Sequence, residues 1–395
     1  MKDMYSPFVT SNFIVGRGSI KFISQLNKKR AVVIYDGRIM SDATKEQLLT
    51  LVSENGGECR FIADIRNEPY FSDIVKAADD MNEFNPDLII AIGGGSVLDT
   101  AKAMHLFYEY PDMSVEDSLI PYNLPELGKK AIMVAIPTTS GTGSETTSAA
   151  VFIDHETKAK RLMLSNELIP AYAILDADFT DTLPKSVASH TGMDALTHAL
   201  EASVCVTASP MVVSIAISAA LDILENLKIS VLGNEDEKLS AREACHVAAS
   251  LSGVAITNSC AGLAHGFDQP GAYFDLPHGM VCGLLLPYTT AFASPHPSYA
   301  KLAKRLGLKG DSEKELCQNL VDYLVNFNKA IGIPLSFAEA GIDEEIFFDK
   351  LEDFATLAIS AVATKLSPKI PSLEQAKELL KNAYYGNKPF ISSEV

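Results

Sequence analysis

No run of about 18 or more apolar residues occurs in this chain of 395 residues, so no membrane span is expected. The opening stretch, MKDMYSPFVTSNFIVGRGSI, has no basic segment followed by a long apolar core, and no signal peptide is expected from it. Cysteine is scarce. The six residues at 59, 205, 245, 260, 282 and 317 form no CxxC pair and no dense framework. That excludes a disulfide scaffold and predicts reduced, mostly buried thiols in a cytoplasmic protein. Positive charge is also short. Lys and Arg number 33 against 50 Asp and Glu, a net charge of −17. Such a balance argues against nucleic acid or an anionic membrane surface as partner. It does not exclude a negatively charged small molecule, because a pocket can be locally basic. Neither GxGxxG nor a Walker A loop is present, and there is no internal repeat or low-complexity tract.

What the chain does have is enough length and apolar content, 47%, for two domains with sizeable cores. Through residue 180, short apolar runs alternate with helical patterns. AVVIY (31–35) leads into a helical pattern near 41–55, DLIIAI (87–92) into GGGSVLDTAKAMHLF, and AIMVAI (131–136) into PTTSGTGSE. This alternation predicts an α/β domain over 1–180, with a parallel sheet covered on both faces. Residues 151–153 and 171–175 read as further strands, arranged as a hairpin leading out of the domain. The segment 108–129 is Pro-rich and polar and reads as a surface excursion. From 181 to 395 the pattern becomes helical, with examples at 210–227, 239–257, 313–331 and 373–384, and an all-α domain is expected.

In DLIIAIGGGSVLDTAK a strand runs through a glycine turn into a helix. Gly93, Gly94 and Gly95 permit close approach of a phosphate to backbone amides, and the helix N-terminus favours its charge. Such a turn also serves simply to join a strand to a helix. PTTSGTGSE adds hydroxyl side chains after a second buried strand, where ligands meet open α/β sheets. Asp36 closes the first strand. A carboxylate there can accept from a ribose 2′-hydroxyl and repel a 2′-phosphate, which favours NAD over NADP. Its plain alternative is a turn residue in YDG.

Asp194 and His198 lie four apart in TGMDALTHALEA, which puts both side chains on one helix face. His265 ends a helix-like run in AGLAHGFDQPGAYFDLPHG, and His278 follows a proline. A carboxylate and three imidazoles suit a divalent transition metal. On their own, Asp194, His198 and Glu201 also fit a solvated helix face, and His265 and His278 fit core or capping histidines.

Together these segments resemble the iron-containing (group III) alcohol dehydrogenase family. GGGSVLDTAK, IPTTSGTGSE, TGMDALTHALEA and LPHG are each similar to a family signature, and the likeness covers most of the chain. The resemblance implies an NAD-binding α/β domain followed by a helical metal-binding and substrate domain. It implies Asp194, His198, His265 and His278 as ligands of Fe²⁺ or Zn²⁺. It places Gly94, Gly95, Ser96 and Asp99 along the pyrophosphate and nicotinamide region, with Thr138, Thr139, Thr142 and Lys160 nearby, and Lys102 as a loop support. His105, His155, His190, His246 and His296 match no ligand position, although His190 and His246 are expected nearer the site.

Two departures stand out. Many members carry a second His four residues after the position of His265, as a proton relay; here that position is Gln269, preceded by Asp268. Gln does not titrate. Asp268 can relay a proton if burial raises its pKa; otherwise water and the ribose hydroxyl carry it. The other departure is Ser367-Pro368-Lys369 in place of the family's Asn-Pro-Arg, affecting either packing or substrate contacts. The resemblance implies hydride transfer between nicotinamide and a small alcohol or aldehyde polarised by the metal, in a homodimer. A reductase for a charged or polyol substrate and a non-catalytic nucleotide-binding subunit are the competing readings.

Overall fold

The computed structural model describes residues 7–65, 70–153 and 160–392, with Ile153 and Lys160 described by their backbone alone. His155 lies outside the described residues. The chain divides into two compact units, Met1–Thr182 and Leu183–Val395.

The first unit is built on a six-stranded sheet in the order β1-β8-β5-β4-β2-β3. Its strands are β1 (Asn12–Val15), β2 (Arg30–Tyr35), β3 (Glu58–Asp64), β4 (Leu88–Gly93), β5 (Ile132–Pro137) and β8 (Tyr172–Leu175). Every pairing in it is parallel. Alternate residues of each strand feed opposite faces. Val32, Ile34, Ile89 and Ala91 pack with α2 (Phe71–Phe84) and α3 (Gly95–Glu109). Ala31, Val33, Ile90 and Ile92 pack with α1 (Asp42–Ser53) and the 3₁₀ turn Ser19–Leu26. Burial on both faces is why these strands read as unbroken apolar runs. β6 (Ala149–Ile153) and β7 (Lys160–Leu164) form a separate antiparallel pair. Residues 171–175 therefore correct the expected hairpin. The partner of 149–153 is 160–164, while β8 inserts between β1 and β5 of the main sheet.

The connection α3–β5 contains the short helix α4 (Val115–Ser118), and Glu109 ties it down. Its carboxylate accepts from the amides of Gly128, Lys129, Lys130 and Ala131, at 3.0–3.2 Å.

The second unit is helical. Its elements are α5 (Lys185–Val204), α6 (Pro210–Leu232), α7 (Glu235–Thr257), α8 (Leu263–Phe267), α9 (Gln269–Tyr273) and α10 (His278–Ala293). They are followed by α11 (Pro297–Arg305), α12 (Glu313–Ile331), α13 (Glu344–Asp349), α14 (Leu351–Ser360), α15 (Val362–Lys365) and α16 (Leu373–Tyr385). From Gly192 to Val204 every residue of α5 is buried, as expected of a helix surrounded by others. Two glycines let α10 close on it. A Cβ at Gly279 would lie 2.2 Å from the His190 carbonyl oxygen, and one at Gly283 would lie 3.0 Å from Met193 Cβ. Among the described residues, no helix is long and apolar enough to cross a membrane.

Candidate metal centre and nucleotide loop

The central position of α5 gives its polar residues their meaning. Asp194, His198 and Glu201 fall on one stripe of a helix whose other faces are apolar, and each is at most 6% exposed. A buried charge is costly unless a partner compensates it. Glu201 is therefore no solvated face. Its carboxylate accepts from the amides of Gly262 (2.7 Å) and Ala264 (2.5 Å) and from His265 Nδ1 (2.5 Å). Burial alone would raise its pKa, but His265 and the two amides hold it below the usual range.

Asp194 is compensated differently. Its Oδ1 makes no hydrogen bond, yet three imidazole Nε2 atoms surround it. His265 and His278 stand at 3.5 Å and His198 at 3.7 Å. His265 Nε2 is likewise without a hydrogen bond. Donors bound at about 2.0–2.3 Å to one ion at tetrahedral angles lie roughly 3.3–3.6 Å apart. The spacing thus fits a shared divalent cation better than a set of hydrogen bonds. Burial raises the Asp194 carboxyl, but the three histidines outweigh it and hold the group well below its ordinary value. Burial pushes His198 down to about 4, leaving a neutral imidazole at neutral pH. Burial also acts downward on His265, where Cys282, Glu201 and Asp194 outweigh it and raise its pKa. Without a metal, a proton on His265 answers the same negative field.

His198 stacks on His265, with ring centroids 4.5 Å apart and 14° between planes. Its Nε2 is 3.7 Å from Asp194 Oδ1, close to the 3.5 Å of the other two histidines. The donor atoms that all fall within 4.8 Å of one another belong to Asp194, His265, His278 and Cys282. Cys282, one helical turn after His278, packs against its ring, with Sγ 3.7 Å from both ring nitrogens.

Asp268 is buried, and its Oδ2 accepts from His278 Nδ1. A Cβ on Gly271 would overlap Asp268 Oδ1, so the turn into α9 is shaped around this carboxylate. Gln269 turns back to the Gly266 carbonyl at 3.0 Å. Lys369 donates to the Ser294 carbonyl at 2.5 Å, so the second departure serves packing at the end of α10. His246 is buried on α7 with its pKa lowered to about 4 by burial, and burial also lowers that of the half-buried His190. His105 bonds Glu109 and the Ala131 carbonyl, and His296 caps α11.

In the first unit the two expected loops meet at the C-terminal ends of β4 and β5. The Thr138 amide donates to the Gly93 carbonyl at 3.0 Å. A Cβ on Gly94 would touch Thr139 at 3.5 Å, and one on Gly95 would press on Thr142 at 2.8 Å. Gly94 precedes α3 without any side-chain cap, so the first amides of that helix face outward beside exposed Ser96. Thr138 Oγ1 is buried with no hydrogen bond. Asp99 accepts from Ser144 Oγ (2.5 Å) and the Val151 amide (2.9 Å), so it braces the loop. Lys102 does the same through the carbonyls of Thr147 and Ala149; burial lowers its pKa to about 8. At the end of β2, Asp36 forms a bidentate pair with Arg38, with contacts of 2.6 and 2.9 Å. β2 sits where the chain reverses direction across the sheet, between β3 and β4. Lys160 opens β7, and its side chain lies outside the described residues.

The sequence matches two family models end to end, "Iron-containing alcohol dehydrogenase" over residues 10–177 and "Fe-containing alcohol dehydrogenase family, C-terminal" over residues 188–384. The chain belongs to the iron-containing alcohol dehydrogenase family. This dehydrogenase is 35% identical to an NADPH-dependent butanol dehydrogenase of Clostridium saccharobutylicum, with 94% of this chain and 96% of that one covered. It is 33% identical to an alcohol dehydrogenase of Thermococcus barophilus, covering 95% and 98%. An iron-containing alcohol dehydrogenase structure from Thermococcus thioreducens superposes with a TM-score of 0.87 at 31% identity, over 96% of this chain and all of that one. The chain is thus an oxidoreductase of the alcohol dehydrogenase type.

Proposed function

We propose that this chain is an NAD-dependent, metal-dependent alcohol dehydrogenase or aldehyde reductase acting on a small substrate. The observation that carries the reading is the buried Asp194 Oδ1, with no hydrogen bond and three imidazole nitrogens at 3.5–3.7 Å. A non-catalytic nucleotide-binding scaffold would have no use for so costly an arrangement.

Asp194, His198, His265 and His278 would hold Fe²⁺ or Zn²⁺. When bound, the cation supplies Lewis acidity toward a substrate oxygen, and the nicotinamide supplies the hydride chemistry. The chain's own residues prepare for this. Glu201 holds the Nδ1 proton of His265 and Asp268 holds that of His278, so both Nε2 lone pairs face the cluster. Asp268 in this reading orients a ligand; it does not relay the proton. In the first unit, Gly94 and Gly95 admit a pyrophosphate to the amides of α3, and Thr138, Thr139 and Thr142 line its approach. Asp36 retains lone pairs beyond those used by Arg38, and these accept the ribose hydroxyl. The same carboxylate repels a 2′-phosphate, which favours NADH in this chain, unlike its Clostridium relative.

The test is an NADH-oxidation screen over short aldehydes, neutral and anionic, with Fe²⁺- and Zn²⁺-loaded protein. His265→Ala should abolish turnover yet leave NADH binding, followed by fluorescence, largely intact. Full turnover in that variant would remove the metal assignment.

A further inference from the structure

Helix α10 carries a proline in its interior, Pro287. Having no N–H, it leaves the Gly283 carbonyl, one turn earlier, without its helical donor. Asn328 on α12 takes that place, its Nδ2 donating to the Gly283 oxygen at 2.7 Å. The Asn328 side chain is buried, and its Oδ1 finds no hydrogen-bond partner among the described residues. A buried acceptor left in this state is costly. Asn328 lines a pocket of about 300 Å³ between α10, α12 and the chain that follows α16, a volume at the lower end of small-molecule sites. Leu284, Pro287, Val325, Leu335 and Pro389 give it apolar walls. The other polar groups around it are already engaged. Tyr288 Oη donates to the Leu335 carbonyl at 3.1 Å, and Lys388 pairs with Asp322 at 3.0 Å. Gln318 fastens the wall beyond α16, donating to the Pro389 carbonyl at 3.2 Å and accepting from the Ile391 amide at 2.9 Å. With its nitrogen committed to α10, Asn328 leaves its oxygen as the free acceptor of the pocket.

We propose that this pocket binds a compact, uncharged molecule with an apolar body and one N–H or O–H donor, which it gives to Asn328 Oδ1. The walls supply apolar contact, and the charges at the rim are paired with each other. An ion entering here would lose hydration without compensation, so the site selects against charge. Recognition rests on an asymmetry. A ligand with a donor satisfies the buried oxygen, whereas one of the same shape without a donor leaves it unmet and displaces any water that served it. The occupant packs against α10, the helix that carries His278, beside the carbonyl that Asn328 holds. The site lies within the helical unit and does not depend on the metal-dependent reading.

Indole is the probe, because its ring N–H donates and it has no competing acceptor. 1-Methylindole offers the same body without the donor. The chain contains no tryptophan, so indole emission excited beyond the tyrosine absorption is free of protein background. Each probe is titrated with the full-length protein, with and without Zn²⁺ and NAD. Indole should bind saturably and about tenfold more tightly than 1-methylindole, the difference made by one buried hydrogen bond. Neither Zn²⁺ nor NAD should displace it. Asn328→Leu should abolish the preference for indole. Val325→Phe narrows the pocket and keeps the Asn328–Gly283 bond, so it tests the site even where Asn328→Leu fails to fold. It should weaken both probes about tenfold. Equal affinity for the two probes, no saturable binding, loss of indole on adding NAD, or undiminished binding in Val325→Phe overturns the site. So does a preference that survives in folded Asn328→Leu.

Discussion

His278 donates its Nδ1 proton to Asp268, ten residues earlier in the chain at the junction of α8 and α9. The bond fixes the tautomer that leaves Nε2 free to face Asp194. Removing the acceptor should therefore loosen a ligand. Asp268→Leu is expected to weaken metal affinity on the order of 10–100-fold. Asp268→Asn keeps an oxygen acceptor and should lose less. Competition with a chelating dye measures both. A proton relay predicts otherwise: metal content would be normal, kcat would fall equally in both variants, and the pH–rate profile would lose one limb.

The closeness of α5 and α10 depends on a missing side chain. Gly279→Ala would set a methyl group 2.2 Å from the His190 carbonyl, a backbone atom that cannot rotate away. The helices must part. A loss of about 1–3 kcal/mol in stability is expected from such overpacking. Metal should be lost too, because His278 moves with α10. Gly283→Ala meets Met193 side-chain atoms at 3.0–3.4 Å and should be milder. Thermal melts and metal content of the two variants check the order; an unperturbed Gly279→Ala would mean that the helix contact does not set the site.

Nucleotide preference should turn on Asp36. Its carboxylate now occupies Arg38, whose side chain is 59% exposed. Asp36→Ser removes the charge facing a 2′-phosphate and releases a guanidinium able to pair with it. The ratio of kcat/KM for NADPH over NADH is expected to rise about tenfold, the equivalent of ~1.4 kcal/mol. An unchanged ratio would place the ribose elsewhere.

Much of this architecture was legible in the sequence, for identifiable reasons. β2, β4 and β5 lie inside the sheet, so their residues read as apolar runs. β1 and β3 are its two edges, half exposed and partly polar, and neither announced itself. Helix α12 matches its expected span because its apolar period is clean. Residues 171–175 read as a strand, but pairing is a long-range property, and local pattern did not distinguish a hairpin from insertion beside β5. The choice between Asp268 and Gln269 was equally invisible. It depends on the turn geometry at Gly271 and on the hydrogen bond that draws Gln269 back to Gly266.

Glu109 supplies a pH test that does not involve the metal. Burial raises its pKa, but His105 and the amides of Ala131 and Lys130 outweigh that and bring it from an ordinary 4.5 to about 2. The group binds its proton more weakly in the folded chain than in the unfolded one. Its stabilising contribution is therefore fully present above pH 4.5 and is lost as the pH falls toward 2. Glu109→Gln cannot titrate and gives the amides of 128–131 a neutral acceptor in place of a charged one. The variant should be less stable than the parent at neutral pH, and the difference should shrink steadily below pH 4.5. Urea unfolding midpoints at pH 7, 5, 4 and 3 measure this. A difference that stays constant across the series would show that the carboxylate charge does not hold the 108–131 segment to α3.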